Sequence, residues 1–321
     1  MRVLGISFGR RMKNCEILVK EALMEAEKAG HEVALIRMID YDVKPCIGCG
    51  GCGNSLDKGG SGRCVIKDDL PLIDEEFLKS DAIIVGAPVY ALGPSGQLKQ
   101  MADRMGPSHD LAFLTMANKQ RIAEGKTGDQ LLDPRNFKQR YAGLISVGGA
   151  VTHNWVSFGL PTMHILCFPS QIKVIDQIDA YGMGSKGSPL LDEDLMERTR
   201  RLGRNIVSAV GKPHDEIGWL GDDDGVCPVC HCDLVMLSGT TRVECPVCGS
   251  YGQLSVDGDK VKVTFSEAEQ KRSRLYLPGK MEHYNEIKSF SGIAGPKIMA
   301  AGDELKRKLK KYEGYRELKL K

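Results

Sequence analysis

The sequence predicts an α/β fold: a doubly wound, five-stranded parallel sheet followed by a small metal-stapled unit and a helical tail. Three observations predict it. Short apolar runs without polar alternation, the mark of strands buried on both faces, alternate with stretches of helical periodicity through the first two thirds of the chain. Two Cys-Pro-x-Cys knuckles then follow within residues 227–248. Beyond them come charged helical segments. The expected boundaries are 1–212 for the sheet domain, 213–225 for a linker, 226–265 for the stapled unit and 266–321 for the helical extension.

In chain order, Arg2-Val3-Leu4-Gly5-Ile6 is the first strand, followed by a polar loop to Cys15. Ile17, Leu18, Ala22 and Ala26 repeat at helical spacing, and Gly30 suits the left-handed position past the helix end. Residues 32–37 form the second strand and 81–90 the third. Gly93-Pro94-Ser95-Gly96 opens a helix that turns Leu98, Met101 and Ala102 inward and ends near Arg104. The fourth strand, 142–147, runs into Gly148-Gly149. A helix from about Trp155 to Leu166, a fifth strand at 172–175 and an amphipathic helix from Asp192 to about Val210 complete the unit. In such a sheet ligands bind beyond the carboxyl ends of the strands. The loops after strands one, three and four all lie at that edge. The first suits an anion held at a helix N-terminus. It carries neither the Gly-Lys-Ser/Thr of a nucleotide-triphosphate loop nor G-x-G-x-x-G.

A net charge of +2 supplies no global field for nucleic acid or a membrane surface, and no run approaches the roughly 20 apolar residues of a membrane span. A buried strand from the second residue leaves no place for a signal peptide, so the expected location is cytoplasmic. Eleven cysteines, eight of them in clusters, read as metal ligation in a reducing compartment.

The first cluster is Cys46, Cys49 and Cys52, with Cys64 returning after a loop rich in Gly, Ser and Lys. Glycines between the thiols allow positive φ and bring amides toward sulfur. Four thiolates match a 4Fe–4S cluster, and three in one run favour it over zinc, which remains the alternative. The second cluster pairs Cys227 and Cys230 with Cys245 and Cys248, two knuckles across a hairpin-length spacer that make one tetrahedral site. It resembles a zinc ribbon, with a rubredoxin-type iron site as the alternative. Its expected role is structural, since some 40 residues need a metal to fold. Cys232 stands outside the pattern as a spare thiol.

Several motifs together resemble the flavodoxin-like iron–sulfur flavoproteins of the NADPH-dependent FMN reductase group. They are Gly5-Ile6-Ser7 with Arg11 and Asn14-Cys15-Glu16-Ile17-Leu18, the cysteine loop ending in Lys67-Asp68-Asp69, Ala87-Pro88-Val89-Tyr90, and Gly96-Gln97-Leu98-Lys99 with Asp103-Arg104. The resemblance spans about residues 1–212. It implies FMN with its phosphate in the first loop, near Ser7, Arg10, Arg11, Asn14 and Cys15. The isoalloxazine would lie on Pro88-Val89-Tyr90 and touch Gly148-Gly149. The sequence departs from that group in three places. Phe8 replaces a glycine and Cys15 takes a hydroxyl position in the first loop. The gap from Cys52 to Cys64 is long. About 33 residues, 108–140, are inserted before the fourth strand, as a lid, an interface or a solvated excursion.

The expected activity is that of an FMN-dependent oxidoreductase. It would pass electrons from NAD(P)H or ferredoxin to a small-molecule or protein acceptor through FMN and a 4Fe–4S cluster, the cofactors supplying the hard chemistry. A non-catalytic electron carrier and a redox-sensing module built on the ribbon are the alternatives. Tyr90 is expected to cover the flavin ring and His153 to supply a proton. The resemblance implies a homodimer or homotetramer, and the basic tail is expected to be a solvated helix.

Overall fold

The computed structural model describes residues 1–222 and 225–318. Asp223 and Asp224 of the expected linker and residues 319–321 of the expected tail lie outside the described residues. The first domain contains β1 (Arg2–Ser7), α1 (Asn14–Lys28), β2 (Glu32–Arg37), α2 (Gly51–Asp57) and α3 (Leu70–Lys79). It continues through β3 (Ala82–Tyr90), β4 (Gly93–Pro94), α4 (Gly96–Arg104), α5 (Gly106–His109) and α6 (Leu111–Ala123). It closes with β5 (Tyr141–Val147), α7 (Gly159–Cys167), β6 (Lys173–Ala180) and α8 (Glu193–Ala209). The sheet order is β2-β1-β3-β5-β6, all parallel, with the two-residue β4 antiparallel on β3. The five expected parallel strands are present in one doubly wound sheet.

Helices cover both faces. Leu18 and Val19 of α1 and Leu202 and Ile206 of α8 fill one side, while Phe77, Leu98, Met163 and Leu166 fill the other. The fit on the first side is close enough to exclude a methyl group. A Cβ on Gly86 would meet Val19 at 2.5 Å, and one on Gly203 would meet the Ala22 carbonyl at 2.3 Å. Glycine at these positions lets α1 lie flush on β3 and on α8.

Some elements differ from expectation for identifiable reasons. The fifth parallel strand continues to Ala180 although the part beyond Ile175 carries Asp176 and Asp179. Asp176 is fully buried, but it accepts hydrogen bonds from Arg198 (3.1 Å) and Asn205 (2.8 Å) of α8, so its charge is compensated. The helix expected from Trp155 starts only at Gly159, because His153–Trp155 forms a separate 3-10 turn. Pro161 then falls in the first turn of α7, where its missing N–H costs nothing. The 108–140 insertion is not a solvated excursion: α6 packs Leu114 with Leu56 and Leu132 in a small core over the cysteine loop.

The stapled unit is an antiparallel sheet of β7 (Met236–Leu237), β8 (Arg242–Glu244), β9 (Tyr251–Asp257) and β10 (Lys260–Thr264). A short α9 (Glu267–Lys271) follows, capped by Ser266, whose Oγ accepts from the Glu269 N–H at 3.3 Å. The last helix, α10 (Leu277–Lys310), departs from helical geometry at Gly302 (φ 43°). No helix among the described residues is long and apolar enough to cross a membrane.

The extension is anchored where α10 begins. Lys280 is buried, its Nζ 3.6 Å above the Phe168 ring and 3.4 Å from Asp110 Oδ2, and Tyr284 meets Phe113 edge-on at 4.9 Å. Burial pulls the Lys280 ammonium from its ordinary 10.5 down to about 8, against the pull of Asp110. A base with a lowered folded-state pKa binds fewer protons folded than unfolded, so docking strengthens as pH rises through that interval. We expect Lys280→Met to loosen the extension at pH 7, because it leaves Asp110 without its ammonium partner and the Phe168 ring without its cation. In urea titrations read by Trp fluorescence, the variant should also lose the gain in stability that the unaltered chain shows between pH 8 and 10.5.

Candidate functional site

The carboxyl edge of the sheet gathers the loops after β1, β3 and β5, because those strands are direct neighbours. The first loop is tied to the next strand by the Phe8 N–H, which donates to the Gly86 carbonyl at 2.8 Å. Ser7 is fully buried and accepts weakly from the Gly9 N–H at 3.4 Å. Arg10 is exposed, while Arg11 donates to Asp40 at 2.8 Å. Asn14 is committed elsewhere. Its Nδ2 donates to the Met183 and Ser185 carbonyls (2.9 and 2.7 Å), and its Oδ1 accepts from the Gly187 N–H (2.8 Å). The Cys15 thiol is buried against Gly9, and burial pushes its pKa to about 12. The first intrahelical bond of α1 runs from the Ile17 N–H to the Lys13 carbonyl, so the N–H groups of Asn14, Cys15 and Glu16 have no acceptor within the helix. An anion placed there would meet backbone amides before side chains.

Beyond the sheet edge β3 carries on into a hairpin with β4 and turns back through Ala91 (φ 48°) and Leu92 (φ 75°). Two successive non-glycine residues in the left-handed region store backbone strain, which concentrates at functional sites. The hairpin raises Tyr90, 55% exposed, beside the buried Pro88 and half-buried Val89. Gly148 lies next to Val89, and Gly149 abuts Gly184, so the loop after β5 is held against the segment that Asn14 anchors. His153 stands just beyond, its Nε2 3.4 Å from Asp179 Oδ2. Burial pushes the Asp179 carboxyl upward, and its contact with Ser146 and the charge of His153 hold it back. Trp155 is exposed on the same rim. The cofactor residues and His153 expected from the sequence thus fall on one edge.

The cysteine loop leaves the sheet after β2. Gly48 and Gly50 take positive φ (66° and 69°), and the Gly48 N–H reaches Cys46 Sγ at 3.5 Å, the amide-to-sulfur arrangement expected there. Cys46 and Cys49 are exposed, and Cys52 and Cys64 are half-buried. Among the described residues only the ribbon thiols lie within 4.8 Å of one another. The four thiols of this loop therefore do not have the spacing of a single tetrahedral ion, whereas a cube of four irons sets its thiolates farther apart. The loop is closed at its neck. Asp68 accepts from the Lys44 N–H (2.9 Å), the Leu70 N–H (3.1 Å) and both ends of the Arg104 guanidinium (2.5 and 3.2 Å), which also donates to the Lys44 carbonyl (2.7 Å). Neither ion of this pair is exposed. Burial alone would raise the Asp68 carboxyl, but Arg104 and the two amides outweigh it and hold it below the ordinary carboxylate range.

In the ribbon, Cys227 and Cys248, and Cys230 and Cys245, lie 3.4 Å apart, all four buried. Tetrahedral zinc–thiolate bonds of about 2.3 Å place sulfurs a little under 4 Å apart, so the set fits one ion. The two knuckles match. The His231 N–H donates to Cys227 O and the Gly249 N–H to Cys245 O, with His231 (φ 56°) taking the left-handed position that Gly249 (φ 74°) takes in the other. Cys232 is a fifth buried sulfur at the rim, accepting from the Leu234 N–H at 3.4 Å.

One constellation had no sequence signal. His109 lies between Asp74, against its Nε2, and Ser108, whose Oγ is 2.9 Å from its Nδ1. With the carboxylate at Nε2, the ring carries its proton there and accepts from the serine at Nδ1. These residues line a cavity of about 480 Å³ with Cys64 and Arg104, roofed by the insertion. Asp74 and His109 are 35 positions apart, and only the fold of α3 against α5 joins them.

The sequence profile of the NADPH-dependent FMN reductases matches residues 1–156. Flavone synthase cfoJ of Aspergillus candidus is 34% identical over 295 residues, covering 89% of this chain and 88% of that one. An iron–sulfur flavoprotein of Methanocaldococcus jannaschii is 40% identical over 108 residues, 33% of this chain and 53% of its own length. A solved flavone reductase matches with a TM-score of 0.82 and 26% identity across 100% of both chains.

The neck of the cysteine loop is open to test. Arg104→Met leaves Asp68 buried without its partner and should cost about 3–5 kcal/mol in urea unfolding. Because the folded-state pKa of Asp68 is depressed, its contribution is present above the ordinary carboxylate range and is lost as pH falls through the folded value. Asp68→Asn should accordingly flatten the acid limb of the stability profile, and an unchanged limb would remove Asp68 from the account.

Proposed function

The chain belongs to the NADPH-dependent FMN reductase family, and from that premise we propose that it moves electron pairs from NAD(P)H to a flat conjugated carbonyl compound through FMN at the carboxyl edge. The activity class, an FMN-dependent oxidoreductase, follows from the family. The acceptor class rests on two relatives matched along nearly the whole chain, whose names refer to flavones. The observation that carries the reading is the strained Tyr90–Gly93 hairpin at the same sheet edge as the first turn of α1, whose leading amides have no acceptor within the helix.

Each residue has a part in this reading. The N–H groups of Asn14, Cys15 and Glu16 hold the phosphate with Arg10 and Arg11 at the rim, and Ser7 shapes the loop. Pro88, Val89 and Tyr90 form the floor for the ring, and Gly148-Gly149 admits its edge. When bound, FMN accepts a hydride and releases electrons in pairs or singly. Reduction of the acceptor's double bond consumes one hydride and one proton. His153, oriented by Asp179, supplies that proton from its ring. Cys46, Cys49, Cys52 and Cys64 hold a 4Fe–4S cluster as a one-electron store, and the ribbon thiols hold zinc. The protein acts in the cytoplasm as a homodimer or homotetramer. The exposure of Cys46 and Cys49 favours a second reading, in which ferredoxin or another protein docks there and the chain serves as a carrier.

Anaerobic turnover with NADH, NADPH or reduced ferredoxin, against a flavone and a quinone, separates these readings. Nicotinamide-driven flavone reduction is expected, with about four irons, one zinc and one flavin per chain. Rapid flavin reduction by ferredoxin without nicotinamide turnover would leave only the carrier. His153→Gln should lower kcat by about 10²-fold while leaving flavin reduction by NAD(P)H unchanged.

A further inference from the structure

Helix α10 outlasts the body it is anchored to. Its 34 residues run to Lys310, and Lys288 still reaches the sheet domain, donating to Asp57 Oδ1 at 2.7 Å. Beyond Lys280, no described residue of the helix is buried. That outer part is a poor helix by its own composition. Gly292, Gly295 and Gly302 lower the propensity, and Pro296 removes an amide donor. Helices owe most of their stability to a packed apolar face rather than to propensity, so a segment of this make-up calls for a partner surface.

The sequence supplies such a face. Ile287, Phe290, Ala294, Ile298, Ala301, Leu305 and Leu309 follow one another at spacings of three, four and four residues, then three, four and four again. An 11-residue repeat of this kind keeps its apolar positions on one stripe of a nearly straight helix. Phe290 and Ile298 are 66% and 56% exposed, and Ile287 and Leu309 are exposed with them. Ile293 and Met299 are exposed outside the stripe, as scattered apolar side chains commonly are. The repeat keeps its phase across Gly302, where the backbone of the single chain leaves helical geometry. Charge is divided unequally along the helix. Residues 282–288 carry two acids and one lysine, whereas residues 303–310 carry two acids and four bases.

We propose that this stripe pairs with the same stripe of a second copy of the chain, antiparallel about a twofold axis at Ile298. With the axis there, Ile287 comes level with Leu309, Ala294 with Gly302 and Ala301 with Gly295. Large residues then meet large ones, and the small pairs on either side of the axis let the helices approach closely. Glu286 comes level with Lys310, so the more acidic start of one helix faces the basic end of the other. Covering an apolar side chain of this size removes roughly 60–120 Å² from water. Two stripes thus bury on the order of 1,000 Å², the lower bound of a specific interface. An anionic membrane would suit the basic end alone and repel Glu282 and Glu286. The inference rests on the homo-oligomer of the proposed function and names its surface; it is independent of the chemistry at the sheet edge.

The test is sedimentation equilibrium of the full-length, metal- and flavin-loaded chain, which should associate. Ile298→Glu sets two carboxylates against each other on the axis and should weaken association about a hundredfold. Ala300→Glu, on the opposite side of the helix, should leave it unchanged. A Cβ on Gly302 meets nothing within 4 Å, and alanine favours the straight helix that pairing requires, so Gly302→Ala should tighten association about tenfold. A zero-length carbodiimide cross-link from Lys310 to Glu286 should join two chains, because about 36 Å of helix separates these residues within one. An oligomer unmoved by Ile298→Glu, equally weakened by Ala300→Glu, loosened by Gly302→Ala or lacking that cross-link would overturn this interface and leave the oligomer itself standing. A chain that stays monomeric, whether or not it binds anionic vesicles, would overturn both.

Discussion

The buried Arg104–Asp68 pair is the point on which the organisation of the cysteine loop turns. One guanidinium and one carboxylate collect the chain entering the loop at Lys44, the chain leaving it at Leu70, and the end of α4. Desolvating two ions leaves little net stabilisation when they are replaced together, but removing either strands the other. Such a pair therefore fixes geometry more than it adds stability. Here it fixes how an excursion of more than twenty residues, carrying four thiols, is presented beside the sheet. The insertion works with it from outside, where Arg121 holds the carbonyls of Gly59 and Gly60.

At the sheet edge the chain leans on backbone rather than side chains. Asn14 secures the 183–187 segment, Arg11 is engaged with Asp40, and the Cys15 thiol faces inward. A thiol in place of a hydroxyl would weaken an anion site that relied on that atom. In this geometry it fills a hole beneath Gly9, and the first-turn amides are available whatever the side chain is. The departure from the usual loop is accommodated because the N-terminus of α1 is placed by packing, with Val19 against Gly86 and Gly203 against Ala22.

Much of this was legible in the sequence. Runs such as Ala82–Tyr90 declare a strand buried on both faces, and the paired Cys-Pro-x-Cys turns declare the ribbon, because local periodicity and ligand spacing are properties of adjacent residues. The rest depended on contacts between distant ones. Asp176 and Asp179 are poor residues for a buried strand, and only the fold brings Arg198 and Asn205 of α8 to the first and His153 to the second. Ala91 and Leu92 are poor residues for a reversed turn, so only the pairing of Val89 with Pro94 reveals the hairpin. Asp74 with His109, and Gln177 with His164, are joined by tertiary structure alone. The insertion read equally well as solvent-exposed until Leu56 and Leu132 gave Leu114 something to pack on.

The unequal burial of the nine clustered sulfurs has a consequence for handling. Oxidants and alkylating reagents approach from solvent, so Cys46 and Cys49 are reached first, Cys52 and Cys64 later, and the five ribbon sulfurs only when that unit opens. Damage in air thus has a direction, from the rim inward. A preparation whose outer thiols have been modified can still carry an intact ribbon, and correct folding is no certificate that the outer sulfurs survived.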